Sequence, residues 1–325
     1  MIRCSCFSLL AFAITLAISP LSSAQTQSYP NRPIRVVVPT SPGGLLDTVI
    51  RPLGQKVSES LGQPFVIENR PGASNNIGTE FVARARGDGY TLLGSTLPLV
   101  VNPSLFSKLG YDVEKDFTPV SLLVASAYVI SVHPSVPIKS IKDLIALAKV
   151  KPGAINYSSG GNGTNLHIAA ELLMNLTGAN MTHLPYKGGG PALLALVSGE
   201  ADLSIPSLAA ILPQAKAAKI RPIAISTKKR SALLPEVPTV IESGVPGYEF
   251  TSWIGMLAPA STPGALITVL NKHIVDALRS PELSSSFGNA GMDVIASSPE
   301  QFRALLRTEL ARYAKVVKER GLKPD

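Results

Sequence analysis

The run IRVVVPTSPGGLLD, residues 34–47, constrains the fold more than any other part of this chain. Apart from Arg35, residues 34–38 are β-branched, which suits a parallel strand covered on both faces. Pro42, Gly43 and Gly44 then let the backbone turn and leave amide groups facing whatever sits above the strand end. Positive φ is expected at Gly44, where a valine would be strained. From Leu45 the pattern is helical, so the positive end of that helix meets the same spot. A strand end followed by a helix N-terminus is a place where anions bind.

Strands and helices alternate through most of the chain. A helix is predicted over 45–61, a strand over 65–68, a helix over 77–85 and a strand over 91–95. Such alternation builds parallel sheets with helices on both faces. Residues 119–133, PVSLLVASAYVISVH, are apolar and long for one strand, and read as a strand that leaves one domain and enters another. A second alternating set follows. It holds helix 141–149, with Ser140 and Asp143 placed to cap it, then strand 154–157, helix 166–176, strand 181–186, strand 201–205, helix 208–216 and strand 222–226. Two more glycine loops, 158–164 and 187–190, fall at strand–helix junctions of this set. Residues 251–259 read as a return strand, and helices over 263–278, 281–290 and 300–321 rejoin the first domain. The layout is an α/β clamshell: domain 1 over 27–124 and 252–325, domain 2 over 125–251, with 120–126 and 251–257 as the hinge strands.

Ahead of the first strand, residues 1–24 combine a charged start at Arg3, an apolar stretch over 7–18 and a small-residue site at Ser22, Ser23 and Ala24. This is the pattern of a secretory signal peptide cleaved near Ala24, and the product is expected to be soluble and exported. Both cysteines, Cys4 and Cys6, precede the apolar stretch, so the mature chain is expected to lack disulfides, thiol nucleophiles and cysteine metal sites. About 300 residues remain, enough for two domains of about 150 each. The formal charge of +8 suits anionic small ligands, and with no basic run interleaved with aromatics it does not suggest nucleic acid.

Several strings carry a family likeness: YPNRPIRVVVP with PGGLLD, VIENRPGASNNIG, GDGYTLL, SSGGNGTNLHIAAE, LPYKGGGPA, LLPEVPTVIESGVPGYE and WIGMLAPASTP. In this order the chain resembles the periplasmic substrate-binding receptors of tripartite tricarboxylate transporters, the Bug-type receptors. The resemblance implies a two-domain type II periplasmic-binding-protein fold. It also implies a small organic carboxylate as ligand (a dicarboxylate, tricarboxylate, acidic amino acid or aromatic acid), no cofactor, and a membrane transporter or a sensor kinase as partner. A monomer is expected. Carried over by residue, the first binding loop falls on Thr40, Ser41, Pro42, Gly43, Gly44 and Asp47, and the next on Ser95 and Thr96. In the second domain the matching positions are Ser158, Ser159, Gly161, Gly163 and Thr164, then Lys187 and Gly188, then Asp202. The family usually has an aromatic at Thr40 and a proline at Ser41, so this pocket floor should be more polar. Acidic residues usual at Ala195 and Pro206 are absent.

Asp47 faces a difficulty, because a carboxylate repels an anionic ligand. It is therefore expected to fix the loop and order water. His167 and Glu171, four apart on one helix face, have the spacing of a metal pair. With no third ligand nearby they read as a hydrogen-bonded pair, so no metal is expected. His133, His183 and His273 read as structural, and Trp253 as packed at the domain crossing. There is no G-x-S-x-G elbow, no G-x-x-x-x-G-K-[ST] loop and no complete G-x-G-x-x-G, and the chain is not expected to be an enzyme. A periplasmic hydrolase is the remaining alternative.

Overall fold

A computed structural model describes residues 29–322, and the predicted signal peptide lies outside them. The first set of elements is β1 (Ile34–Val38), α1 (Leu45–Leu61), β2 (Phe65–Asn69), α2 (Asn76–Ala83), β3 (Thr91–Ser95), α3 (Pro98–Leu105), the single turn α4 (Val113–Asp116) and β4 (Phe117–Ala127). The second is β5 (Val129–Val132), α5 (Ile141–Val150), β6 (Asn156–Ser159), α6 (Asn165–Thr177), β7 (Thr182–Pro185), α7 (Gly189–Ser198), β8 (Leu203–Ser204), α8 (Leu208–Lys216) and β9 (Arg221–Ile225). The chain ends with β10 (Thr251–Pro259), α9 (Gly264–Leu278), α10 (Pro281–Asn289), β11 (Met292–Val294) and α11 (Pro299–Arg320).

These strands form two sheets, one of six strands in the order β11-β4-β10-β3-β1-β2 and one of five in the order β7-β6-β8-β5-β9. The fold is a two-domain α/β fold. In the first sheet β1 pairs in parallel with both β2 and β3, the central position its apolar run demands. Ile34, Val36 and Val38 pack on one face against Leu46, Ile50 and Leu53 of α1, while Val37 belongs to the core on the other face. That second core continues into the other domain, joining Val101 of α3 to Ile168 of α6 and Tyr313 of α11. Among the described residues no helix is long and apolar enough to cross a membrane.

The crossing between sheets lies further along than expected. β4 and β10 pair antiparallel over Phe117–Ala127 and Thr251–Pro259, so 120–126 and 251–257 belong to the body of the first sheet. The chain changes sheets at Tyr128, whose amide donates to Ser226 Oγ at 2.8 Å and whose carbonyl accepts Ser226 N–H at 2.8 Å. Phe250 N–H in turn donates to the Ser226 carbonyl at 3.0 Å. One serine thus staples the outgoing and returning strands.

Candidate functional site

The first glycine loop joins β1 to α1. Gly43 has φ 81 and Gly44 has φ −74 with ψ 170. The residue that requires glycine is therefore Gly43, and the expectation of positive φ at Gly44 is corrected. A Cβ at Gly44 would make only ordinary contacts, 3.6 Å from the Ser41 carbonyl and 3.9 Å from Thr40 Oγ1. Gly44 is the N-cap of α1 and supplies no side chain to its free amides. Ser41, Pro42 and Gly43 are exposed.

Asp47 fixes this loop. Its Oδ2 accepts Gly43 N–H at 3.1 Å and Arg51 Nε at 2.7 Å, and its Oδ1 accepts Asn69 Nδ2 at 3.0 Å. Asn69 Nδ2 also donates to the Thr40 carbonyl at 3.0 Å, and Arg51 Nη2 donates to Asn69 Oδ1 at 2.7 Å. Burial pushes the Asp47 carboxyl up, but the hydrogen bonds from Arg51, Asn69 and Gly43 outweigh it and hold it below the usual carboxylate range. A carboxylate engaged this way has its charge answered inside the protein. Arg51 and Asn69 were missed from sequence, although the four-residue spacing of Asp47 and Arg51 on a helix is a legible pairing signal. Thr40 Oγ1 is buried and has no hydrogen-bond partner among the described residues.

The second glycine loop joins β6 to α6 and is braced by neutral groups. Ser159 Oγ lies 2.6 Å from His183 Nε2 and accepts Gly161 N–H at 3.1 Å. Thr164 Oγ1 donates to the Gly161 carbonyl at 2.7 Å, and Gly163 N–H donates to His167 Nδ1 at 3.1 Å. Gly161 and Gly163 have φ 109 and 74. Thr164 is the N-cap of α6, again without a side-chain cap bond. His167 and Glu171 form the expected pair, Nε2 to Oε1 at 3.7 Å, but they are not alone. The His167 ring stacks on His183 at 4.4 Å, His183 stacks on Tyr157 at 4.8 Å, and Tyr157 donates to Glu171 at 3.0 Å. His183, read as isolated from sequence, is part of this brace.

The second loop meets the first domain at α3. A Cβ on Gly163 would fall 2.8 Å from Leu105 Cδ2 and 3.5 Å from Asn102 Oδ1, both on α3 of the other domain. Ser74 Oγ donates to the Asn162 carbonyl at 3.4 Å across the same gap. At the back, Thr96 Oγ1 lies 3.1 Å from Ser252 Oγ, and Asn165 Nδ2 donates to Ser252 Oγ at 2.5 Å and to the Tyr128 hydroxyl at 2.6 Å. This polar thread runs from β3 through the return strand to the start of α6 and to the crossing residue. Ser95 is buried at the end of β3, opposite Gly255.

The remaining positions divide. Gly188, at φ 108, caps α7 without a side chain, and its amide donates to the Gly160 carbonyl at 3.2 Å, so α7 starts beside the second loop. Lys187 is exposed. Asp202 is not brought to the site: its Oδ2 accepts Asn156 N–H at 2.8 Å, at the start of β6. Three residues at about 3.3 Å each put that end about 10 Å from Ser159. It staples a strand start instead. A cavity of about 400 Å³ near Phe106, Tyr111 and Leu310 is lined by none of the glycine-loop residues. Among the described residues no three His, Cys, Asp or Glu side chains are placed to hold a metal ion.

Similarity to known proteins matches this geometry. The chain is 37% identical over 314 residues to Protein BugT of Bordetella pertussis, covering 96% of each. Its fold superposes with TM-score 0.86 on R. palustris Rpa4515 with adipate, at 36% identity, covering 91% of this chain and 100% of that one. It superposes with TM-score 0.83 on MatC from Rhodopseudomonas palustris with bound malate, at 31% identity, covering 89% of this chain and 100% of that one. Residues 49–322 match the sequence profile of the tripartite tricarboxylate transporter family receptor, and the chain belongs to that family.

Proposed function

We propose that this protein is an exported receptor that captures a small organic carboxylate between its two domains and presents it to a tripartite tricarboxylate-type transporter, acting as a monomer without cofactor or metal. The observation that carries the reading is the contrast in helix capping. α4, α5, α8, α10 and α11 are capped by Asp112, Ser140, Ser207, Ser280 and Ser298. α1, α2, α3, α6, α7 and α9 lack a side-chain cap bond, and of these α1, α6 and α7 start from the glycine loops at 42–44, 158–164 and 187–190, which leaves their first amides available to a ligand. Each such end offers a carboxylate about 0.3–1 kcal/mol, and more when buried. Thr40 Oγ1 and Ser41 add hydroxyls, and adipate and malate occupy two relatives.

Ser159 and His183 have the separation of a nucleophile and its base. Ser159 is fully buried, however, and its oxygen already accepts Gly161 N–H. The pair braces a loop, which favours capture over hydrolysis. A thermal-shift screen with adipate, L-malate, citrate, L-aspartate and nicotinate tests the reading. A ligand at about a hundred times its Kd adds about 2.7 kcal/mol of stability, so a true ligand produces a clear rise in Tm. If no carboxylate raises Tm, and calorimetry shows no heat, the reading fails.

A further inference from the structure

Behind the second glycine loop lies a buried group of side chains that touch the loop rather than the cleft. Gly163 N–H points at His167 Nδ1, 3.1 Å away. That nitrogen must therefore carry a lone pair, which assigns the ring proton of the neutral imidazole to Nε2. Nε2 faces Glu171 Oε1 at 3.7 Å, and Tyr157 donates to the same oxygen at 3.0 Å. The flat of the ring meets His183 at 4.4 Å, with 20° between the planes. Among the described residues, Glu171 on α6, His183 on β7 and Tyr157 on β6 are titratable groups in contact with His167 or with its partner. From α3, packed against Gly163, come Val101, Leu105 and the uncharged Asn102.

An imidazole accepts at Nδ1 only while it is neutral. Protonation places a second N–H there, facing the N–H of Gly163, and two donors cannot share that space. We propose that His167 is a positioning residue that makes ligand affinity depend on pH: neutral, it holds Gly163 and the adjoining amides in the binding arrangement, and protonated, it releases them. The effect on affinity rests on the carboxylate-receptor reading, whereas the movement of the loop does not. Histidine is the side chain whose ordinary titration falls nearest neutrality, so the release is sought from mildly alkaline to mildly acidic pH. Affinity falls as pH falls.

The test begins with the isotope-labelled protein and no added ligand. Between pH 8 and 5.5 the Gly163 amide resonance should shift with the same midpoint as the His167 ring nitrogens, and its exchange protection should drop. His167→Asn places an amide oxygen near the Nδ1 position, so Gly163 should stay fixed at every pH. His183→Gln keeps a hydrogen-bonding atom near Nε2 and should leave the step in place. Calorimetric titration with adipate and L-malate should show affinity falling by roughly tenfold from pH 7.5 to 5.5 in wild type, the worth of one hydrogen bond, and staying flat in His167→Asn. A Gly163 amide that ignores the titration of His167 overturns the proposal, as does an unchanged pH profile in His167→Asn or a step lost in His183→Gln. A Gly163 step in a protein that binds none of the five acids of the thermal-shift screen at either pH supports the loop movement and removes the carboxylate reading.

Discussion

The two glycine loops perform the same task with different chemistry. Each ends a buried strand, turns on glycines at positive φ and opens a helix whose amides have no side-chain cap. The first is held by charge, with Asp47 drawing together Gly43, Arg51 and Asn69. The second is held by neutral groups, Ser159, His183 and His167. An anion site needs free N–H groups, and those must be held without placing an unanswered negative charge near them. In the first loop the carboxylate is answered by a guanidinium four residues along. In the second the loop backbone is held by Ser159, Thr164 and His167, and Glu171 stands one histidine behind it.

Removing the charged brace should have the largest effect. Asp47→Ala leaves Gly43, Asn69 and Arg51 without their acceptor, and hydrogen bonds to charged groups are worth about 1.5–3 kcal/mol. Arg51 is half exposed and recovers part of its solvation, so the loss should sit at the lower end of that range. Chemical denaturation checks the stability, and calorimetry with a verified ligand should show at least a tenfold weaker Kd. A stable variant with unchanged affinity would break the charged half of the comparison.

The pH profile should separate the two loops. The folded carboxyl of Asp47 lies below its unfolded value, so its stabilisation is present above the unfolded pKa of about 3.9 and is lost as pH falls through the folded value. Across pH 5 to 8 it contributes a constant amount. The stability difference between wild type and Asp47→Asn should therefore be flat over that range and shrink only in stronger acid. A difference that changes near neutrality would assign the first loop to another titrating group.

Gly43→Val and Gly44→Ala sharpen the geometry of the first loop. Gly43→Val forces a β-branched residue to φ 81 and should cost about 1–2 kcal/mol in the binding arrangement. Gly44→Ala sits at an ordinary φ with room for its methyl, and affinity should change by less than about threefold. The reverse order would mean that the turn is used in another conformation. The effect of Ser159→Ala should fall between those of the two glycine variants. It removes a neutral brace worth about 0.5–1.5 kcal/mol, and a loss of affinity beyond about tenfold would show that the hydroxyl itself contacts the ligand.

The sequence made α1 and β10 readable to the residue, α1 by the helical spacing of its apolar residues between two glycine turns and β10 as a short apolar run that ends at a proline. The Ser140 cap of α5 was readable too. It did not disclose β11, three residues on a sheet edge, which is too short for any period to show. Nor did it disclose α3, where Pro103 and two adjacent valines obscure the helix. Asn102 of α3 donates to the Ser74 carbonyl and to Asn76 Oδ1, both at 2.8 Å, so tertiary contacts help to hold it. The brace of the second loop was hidden by parallel pairing. His183 stands opposite Tyr157 in the register of β6 and β7 and shares a face with Ser159, although 24 residues separate it from that serine. Tyr128 was swallowed by an apolar run that carried no mark of where one sheet stopped.

The bare Cα of Gly163 against α3 has a consequence for how readily the two halves can meet. Most contacts between domains freeze side chains, and each frozen rotamer costs entropy that the encounter must overcome. Here one partner has no side chain to freeze, and the other surface is formed by Asn102, already tied to Ser74 and Asn76, and by Leu105. Such a contact loses little side-chain freedom when it forms, so any ligand that draws the second loop toward α3 spends little of its binding energy on ordering this part of the surface.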